Sequence, residues 1–151
     1  VMELLASRRP EGDGKQPALE PKDIGIITPY ARQVQALKRQ LASLGPAYAG
    51  IEVGTVEHFQ GQERRAVILS TVRSSMAQGL EGSSPVESRR PIGFLADPRR
   101  LNVAVSRAVA GLVIVGDLGN LSKYSSDWRA LLGMGQDAGF LRGDPLDFSP
   151  P

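Results

Sequence analysis

The chain is most constrained by a set of apolar runs too short to be helices, separated by segments whose apolar residues recur at helical spacing. Ile24, Ile26 and Ile27 form the first run, which stops at Thr28-Pro29. Ile51, Val53 and Thr55 make a second, residues 66–72 (AVILSTV) a third, and residues 111–117 (GLVIVGD) a fourth. Runs this short and this apolar, bounded by turn residues, read as strands buried on both faces, the condition of strands in a parallel sheet. After the first run the period changes. Val34, Leu37, Leu41 and Leu44 follow a helix that opens at Tyr30 and ends at Gly45-Pro46. Asp97-Pro98 opens a second helix, with an acceptor at the N-cap and proline at the first helical position, running to about Ala108. Ser126-Asp127-Trp128 starts a last helix, with Trp128, Leu131 and Leu132 on its apolar side. Such alternation predicts an α/β fold in which a mostly parallel sheet is flanked by helices.

Residues 24–142 read as the folded unit. Residues 1–23 read as the end of a preceding helix (1–9) and a turn-rich loop, and residues 143–151 as a Pro-rich tail. Residues 73–92, rich in Ser and Gly, read as a long loop. A length of 151 residues suits one domain. The sequence holds no cysteine and one histidine, which excludes a disulfide scaffold, a thiolate metal site and a His-rich metal site. No apolar run approaches the roughly 18 residues of a membrane span, so neither a span nor a secretion leader is expected. Val1 in place of an initiator Met leads us to expect a segment of a longer chain.

The net charge of +2 hides an uneven distribution. Residues 59–110 carry 8 basic side chains against 4 acidic ones, and all 8 are arginines. Arginine offers a planar fork of donors suited to phosphate, although a solvated surface would use it equally. In parallel sheets ligands sit beyond the carboxyl ends of the strands. Thr28-Pro29-Tyr30, the segment from Thr55 to Glu63 and the loop before Asp97 are therefore expected to face one rim. The second of these crowds a hydroxyl, an amide, a glycine and a carboxylate into a strand connection. Gly61 there permits a positive φ or a close backbone approach, while His58 beside Phe59 reads as a packed or capping residue. On the helix after Asp97, Leu101, Ala104, Val105 and Ala108 share one face, and Arg100, Val103 and Arg107 another. Structural carboxylates or a ligand phosphate would each satisfy that arginine stripe.

Three blocks in fixed order carry a specific resemblance: IGIITPY (24–30), VGTVEHFQGQERRAVILSTVRS (53–74) and DPRRLNVAVSRA (97–108), followed by GLVIVGD (111–117). Over about residues 20–140 the chain closely resembles the second RecA-like domain of superfamily 1 helicases, nearest to the RNA helicases of the nonsense-mediated-decay type and of the Armitage type. The resemblance implies a RecA-like domain with the P-loop NTPase fold. It implies that Thr28, Pro29 and Tyr30 (motif IV) lie near the nucleic-acid path, and that Thr55 touches the strand's phosphate backbone with Gln60 beside it (motif V). It also implies that Gly61 and Glu63 meet the nucleotide, with Glu63 on the ribose. Arg107 matches the motif VI arginine that reaches the ATP γ-phosphate across a domain cleft, and Arg100 a position usually basic in the family.

ATP with Mg²⁺ is the implied cofactor and single-stranded RNA the implied partner, with DNA left open because phosphate contacts do not specify the sugar. The chain lacks G-x-x-x-x-G-K-[ST], a Walker B carboxylate pair and the family's Tyr-Arg motif. The phosphate loop and metal are therefore assigned to a first RecA-like domain elsewhere, and no ATP hydrolysis is expected of this chain alone. Val109 stands where the family usually has a basic residue. No resident metal and no membrane are expected; RNA-silencing or RNA-decay proteins are implied partners, in the cytoplasm. A nucleic-acid-binding scaffold without turnover is the alternative from another class.

Overall fold

The computed structural model describes residues 18–71 and 97–142. The expected helix end at 1–9, the loop at 73–92 and the tail from 143 lie outside them. Four strands form one sheet: β1 (Ile24–Ile27), β2 (Glu52–Gly54), β3 (Arg64–Thr71) and β4 (Ala108–Gly116), in the order β2-β1-β3-β4. Every pairing is parallel. The helices are α1 (Ala31–Ser43), α2 (Pro98–Ser106), α3 (Leu118–Tyr124) and α4 (Ser126–Asp137).

The period-2 geometry of a strand splits the first apolar run between two layers. Ile24 and Ile26 pack with Val34, Ile51, Val53, Ala66 and Ile68 beneath α1. Ile27 faces the other way, with Val56, Phe59, Val67, Leu69, Ala104, Leu121, Trp128 and Leu132. Ala66, Val67, Ile68 and Leu69 of the central β3 are buried on both faces, which is why that run carries no polar alternation.

The cap predicted at Asp97 forms, and a second, not predicted, stands just before the expected helix start at Ser126. The Asp97 side chain accepts from Arg99 N and Pro98 opens α2. Ser125 caps α4 by accepting from Trp128 N. Leu44, expected on the apolar side of α1, lies past the helix end and is half exposed, since the chain turns at Gly45 with φ 109°. Two boundaries and one element differ from expectation. The second helix stops at Ser106, and β4 begins at Ala108 rather than at residue 111. Ala108, Val109 and Ala110 suit either state, and pairing with β3, which starts at Arg64, draws them into the sheet through a register shift between Arg64 and Ala66. The short helix α3 was not expected, because Gly119 and the polar residues around it obscure any period.

Candidate functional site

The chain leaves β2 at Gly54 and must begin β3 on the far side of β1, at the opposite end of the sheet. Parallel crossovers usually take a dozen or more residues and a helix. Residues 55–63 achieve it with one helical turn, in which Phe59 N donates to Thr55 O at 3.3 Å, Gln60 N to Glu57 O at 3.2 Å and Gln62 N to Phe59 O at 3.0 Å. Two glycines make room for so flat a path. A Cβ on Gly25 would stand 2.7 Å from Cε1 of Phe59, and one on Gly54 2.4 Å from Cδ2 of His58. Phe59 is completely buried as a result. Gly61 takes φ 77°, the positive value its position suggested, and turns the chain toward β3.

This path divides the site between two rims. Thr28, Pro29 and Tyr30 follow the carboxyl end of β1, and Thr55 follows that of β2. Glu63 instead precedes the amino end of β3, and Arg107 that of β4. The two are neighbours there, since Arg64 N donates to Arg107 O at 2.9 Å. The expectation of a single rim is thus corrected for the 55–63 segment: a crossover this short uncovers one of its ends at each side of the sheet. The loop before Asp97 lies outside the described residues.

Thr28 is fully buried. Its hydroxyl donates to Gln33 Oε1, Gln33 Nε2 donates to Ser70 Oγ at 2.8 Å, and Thr28 N donates to Gly54 O at 3.1 Å. In this conformation Thr28 shapes the rim and offers it no surface, whereas Pro29 and Tyr30 are half-buried. Gln33 was not anticipated; its only signal is an amide in the first turn after Thr28-Pro29-Tyr30. Thr55 is half-buried, its Oγ1 lying 3.4 Å from His58 N, and Gln60, Gly61 and Glu63 are exposed.

The two arginines expected on one stripe part company. Arg100 pairs with Glu57 at 3.3 Å and Asp97 at 3.8 Å, so carboxylates of the chain answer its charge and tie α2 to the crossover. Arg107 closes α2 as its C-cap. Its Nη2 donates to Ser106 Oγ at 3.1 Å, while its Nε is buried without a hydrogen-bond partner among the described residues. An unsatisfied buried donor costs about 1–3 kcal/mol, a cost that a turn of the side chain toward an anion at this rim would relieve.

Charge is concentrated beneath the crossover. Glu52 meets His58 Nε2 at 2.6 Å through Oε1 and accepts from Arg64 Nη2 through Oε2. Arg64 also lies over the Phe59 ring, 5.8 Å from its centroid. The hydrogen bond from His58, then the guanidinium of Arg64, holds the Glu52 carboxyl below the usual carboxylate range. A lowered carboxyl pKa adds stability that is present above the unfolded value, about 4.3, and is lost as pH falls through the folded one. Glu52→Gln is expected to be less stable than the unaltered protein at pH 7, with the gap closing below about pH 4. Urea midpoints measured across that range check it, and a gap that persists at low pH would sink the charge account.

The four-stranded parallel sheet flanked by helices is the architecture of a RecA-like α/β domain. The sequence matches the family described as AAA domain over residues 1–119. It is 40% identical to the helicase MOV-10 of Gallus gallus over 141 residues, covering 89% of this chain and 14% of that protein. It is 40% identical to the regulator of nonsense transcripts 1 homolog of Neurospora crassa over 132 residues, covering 85% of this chain and 11% of that protein. With the homolog of the same name in Arabidopsis thaliana the identity is 44% over 116 residues, covering 74% and 8%. The chain thus spans 8–14% of the length of these relatives. It belongs to the AAA-domain family of superfamily 1 helicases.

Proposed function

We propose that this domain is the second motor half of an ATP-dependent helicase that moves on single-stranded RNA, with nucleotide at the amino rim and the strand along the carboxyl rim. The observation that carries the reading is the crossover, which ends in Thr55 at one rim and in Glu63 beside Arg107 at the other. Thr55 donates to a backbone phosphate, with Gln60 beside it and Pro29 and Tyr30 as the adjoining platform. Gly61 lets the backbone approach the nucleotide, and the Glu63 carboxylate accepts from a ribose hydroxyl. Arg107 places its guanidinium where negative charge builds up on the γ-phosphoryl oxygens, a role worth about 10³–10⁵ in kcat.

ATP supplies the transferable phosphoryl group, and Mg²⁺ its charge neutralisation. The phosphate loop and metal ligands belong to a first RecA-like domain, because this sequence has no G-x-x-x-x-G-K-[ST]. With the arginine on one domain and the loop on the other, turnover opens and closes the cleft between them. RNA is preferred to DNA because two of the relatives are named for nonsense transcripts. That name also suggests RNA-decay factors as partners.

In the intact protein, single-stranded RNA is expected to stimulate ATP hydrolysis more than DNA of the same sequence. Thr55→Ala is expected to weaken strand binding about tenfold, the loss of one hydrogen bond to a charged group, with nucleotide affinity unchanged. Strand binding without any ATP turnover would leave a binding scaffold instead.

A further inference from the structure

The residues proposed to meet ligands do not hold the crossover in place. Its own backbone bonds are few, and Thr55 Oγ1 reaches His58 N only at 3.4 Å. The buried Phe59 anchors its middle and the Arg100–Glu57 pair ties it to α2, while a ring of hydrogen bonds, closing through the His58 backbone, joins its two ends. Glu52 Oε1 meets His58 Nε2 at 2.6 Å, and the His58 carbonyl accepts from Gln62 Nε2 at 2.9 Å. Gln62 Oε1 accepts from Arg64 Nη2 at 3.1 Å, and the same Nη2 returns to Glu52 Oε2. Arg64 Nη1 also donates to Glu63 O at 2.8 Å.

The ring has a definite place in the fold. Glu52 opens β2 and Arg64 opens β3, on either side of β1, so their ion pair arches across β1. Gly25 lies level with Glu52, and a Cβ there would come 3.1 Å from Cγ of Arg64. Side-chain networks that close on themselves restrain their members more than the separate bonds do.

We propose that Glu52, His58, Gln62 and Arg64 are positioning residues that fix Glu63 relative to Thr55, so that strand engagement and ATP turnover are coupled through the 55–63 crossover. This rests on the functional reading above. It adds the part that transmits between the two rims. Without the ring, each end of the crossover still carries its ligand-facing groups, but a shift at Thr55 is absorbed locally before it reaches Glu63.

The test uses the intact protein with His58→Ala and Glu52→Ala. His58→Gln serves as the conservative variant that keeps a side-chain donor, and Gln62→Leu as one that leaves the ion pair. Two quantities are read: hydrogen exchange of the 55–63 backbone, and the ratio of RNA-stimulated to basal ATP turnover. The expected result is exchange about tenfold faster in the alanine variants, as local opening becomes easier. The stimulation ratio falls at least about fivefold while basal turnover stays within about twofold, with partial recovery of both in His58→Gln. Unchanged exchange in His58→Ala, Glu52→Ala and Gln62→Leu overturns the ring as a restraint. Faster exchange with an unchanged ratio overturns the positioning role. If the unaltered protein shows no RNA-stimulated turnover, the functional reading fails first and the coupling with it, whatever the exchange shows.

Discussion

Replacing Arg107 by alanine is expected to lower ATP turnover by about 10³-fold or more in the intact protein, the magnitude of a guanidinium aimed at a transferring phosphoryl group. Binding of single-stranded RNA should change little, because Arg107 stands at the amino rim and Thr55 at the other. The side chain contributes little to folding. Among the described residues Nη2 bonds only its neighbour Ser106, and Nε is buried without an acceptor. Truncation removes an unsatisfied donor, so the melting temperature should hold or rise slightly while activity collapses. That divergence separates a lost ligand contact from a damaged fold. Arg107→Lys keeps the charge but not the fork of donors, and should recover only part of the rate. Arg100→Ala gives an internal contrast: its exposed pairs with Glu57 and Asp97 are worth roughly 1 kcal/mol at most, so both stability and turnover should change little. A loss of less than about tenfold for Arg107→Ala would remove it from the phosphate.

Much of the scaffold behind these expectations was legible in the residues themselves. Four apolar runs announced four strands, and an unbroken run such as residues 66–69 announced a strand covered on both faces. Asp97-Pro98 and the residues before Trp128 marked helix starts because capping is local chemistry. What was not legible depends on where distant segments meet. Nothing in the sequence TVEHFQGQE shows that it crosses β1, because the deciding contact is between Phe59 and a glycine more than thirty residues away. Gly25, which drew no notice within the isoleucine run, is the residue that lets the crossover lie flat. The division into two rims follows from that crossover and was invisible for the same reason. Arg107 was singled out by motif, but its separation from Arg100 arises where α2 ends at Ser106, a boundary set by pairing of β4 with β3. His58 was read as a packed or capping residue; it lies edge-on to Phe59 with ring centroids 5.5 Å apart, but its side chain is exposed. Its bond to Glu52 needed the fold, since β2 had to place that carboxylate beneath it.

The contact between Gly25 and Phe59 carries the second large expected effect, on stability. Phe59 is fully buried among Ile27, Val56 and Val67, and Phe59→Ala is expected to cost about 3–5 kcal/mol through lost burial and the cavity left behind. Gly25→Ala alone should cost about 1–3 kcal/mol. Its Cβ would sit 2.7 Å from the ring edge, and neither the buried ring nor a strand paired on both sides has room to retreat. Removing the ring removes the shortest contact and leaves only the 3.1 Å approach to Cγ of Arg64, whose side chain can shift. In a Phe59→Ala background, Gly25→Ala should therefore be close to neutral, the roughly 0.5 kcal/mol that alanine gains over glycine in chain entropy on entering a strand offsetting the adjustment of Arg64. The double variant is then less destabilised than the sum of the two single ones, a coupling of about 1–3 kcal/mol that urea unfolding can measure. Additive losses would mean that ring and strand do not meet, and the crossover would have to leave β2 by another route. Coupling of that size would fix the 55–63 segment against β1 without reference to any ligand. The middle of the span is then anchored at Phe59, and the ring of Glu52, His58, Gln62 and Arg64 is left to relate its ends, Thr55 and Glu63, to each other.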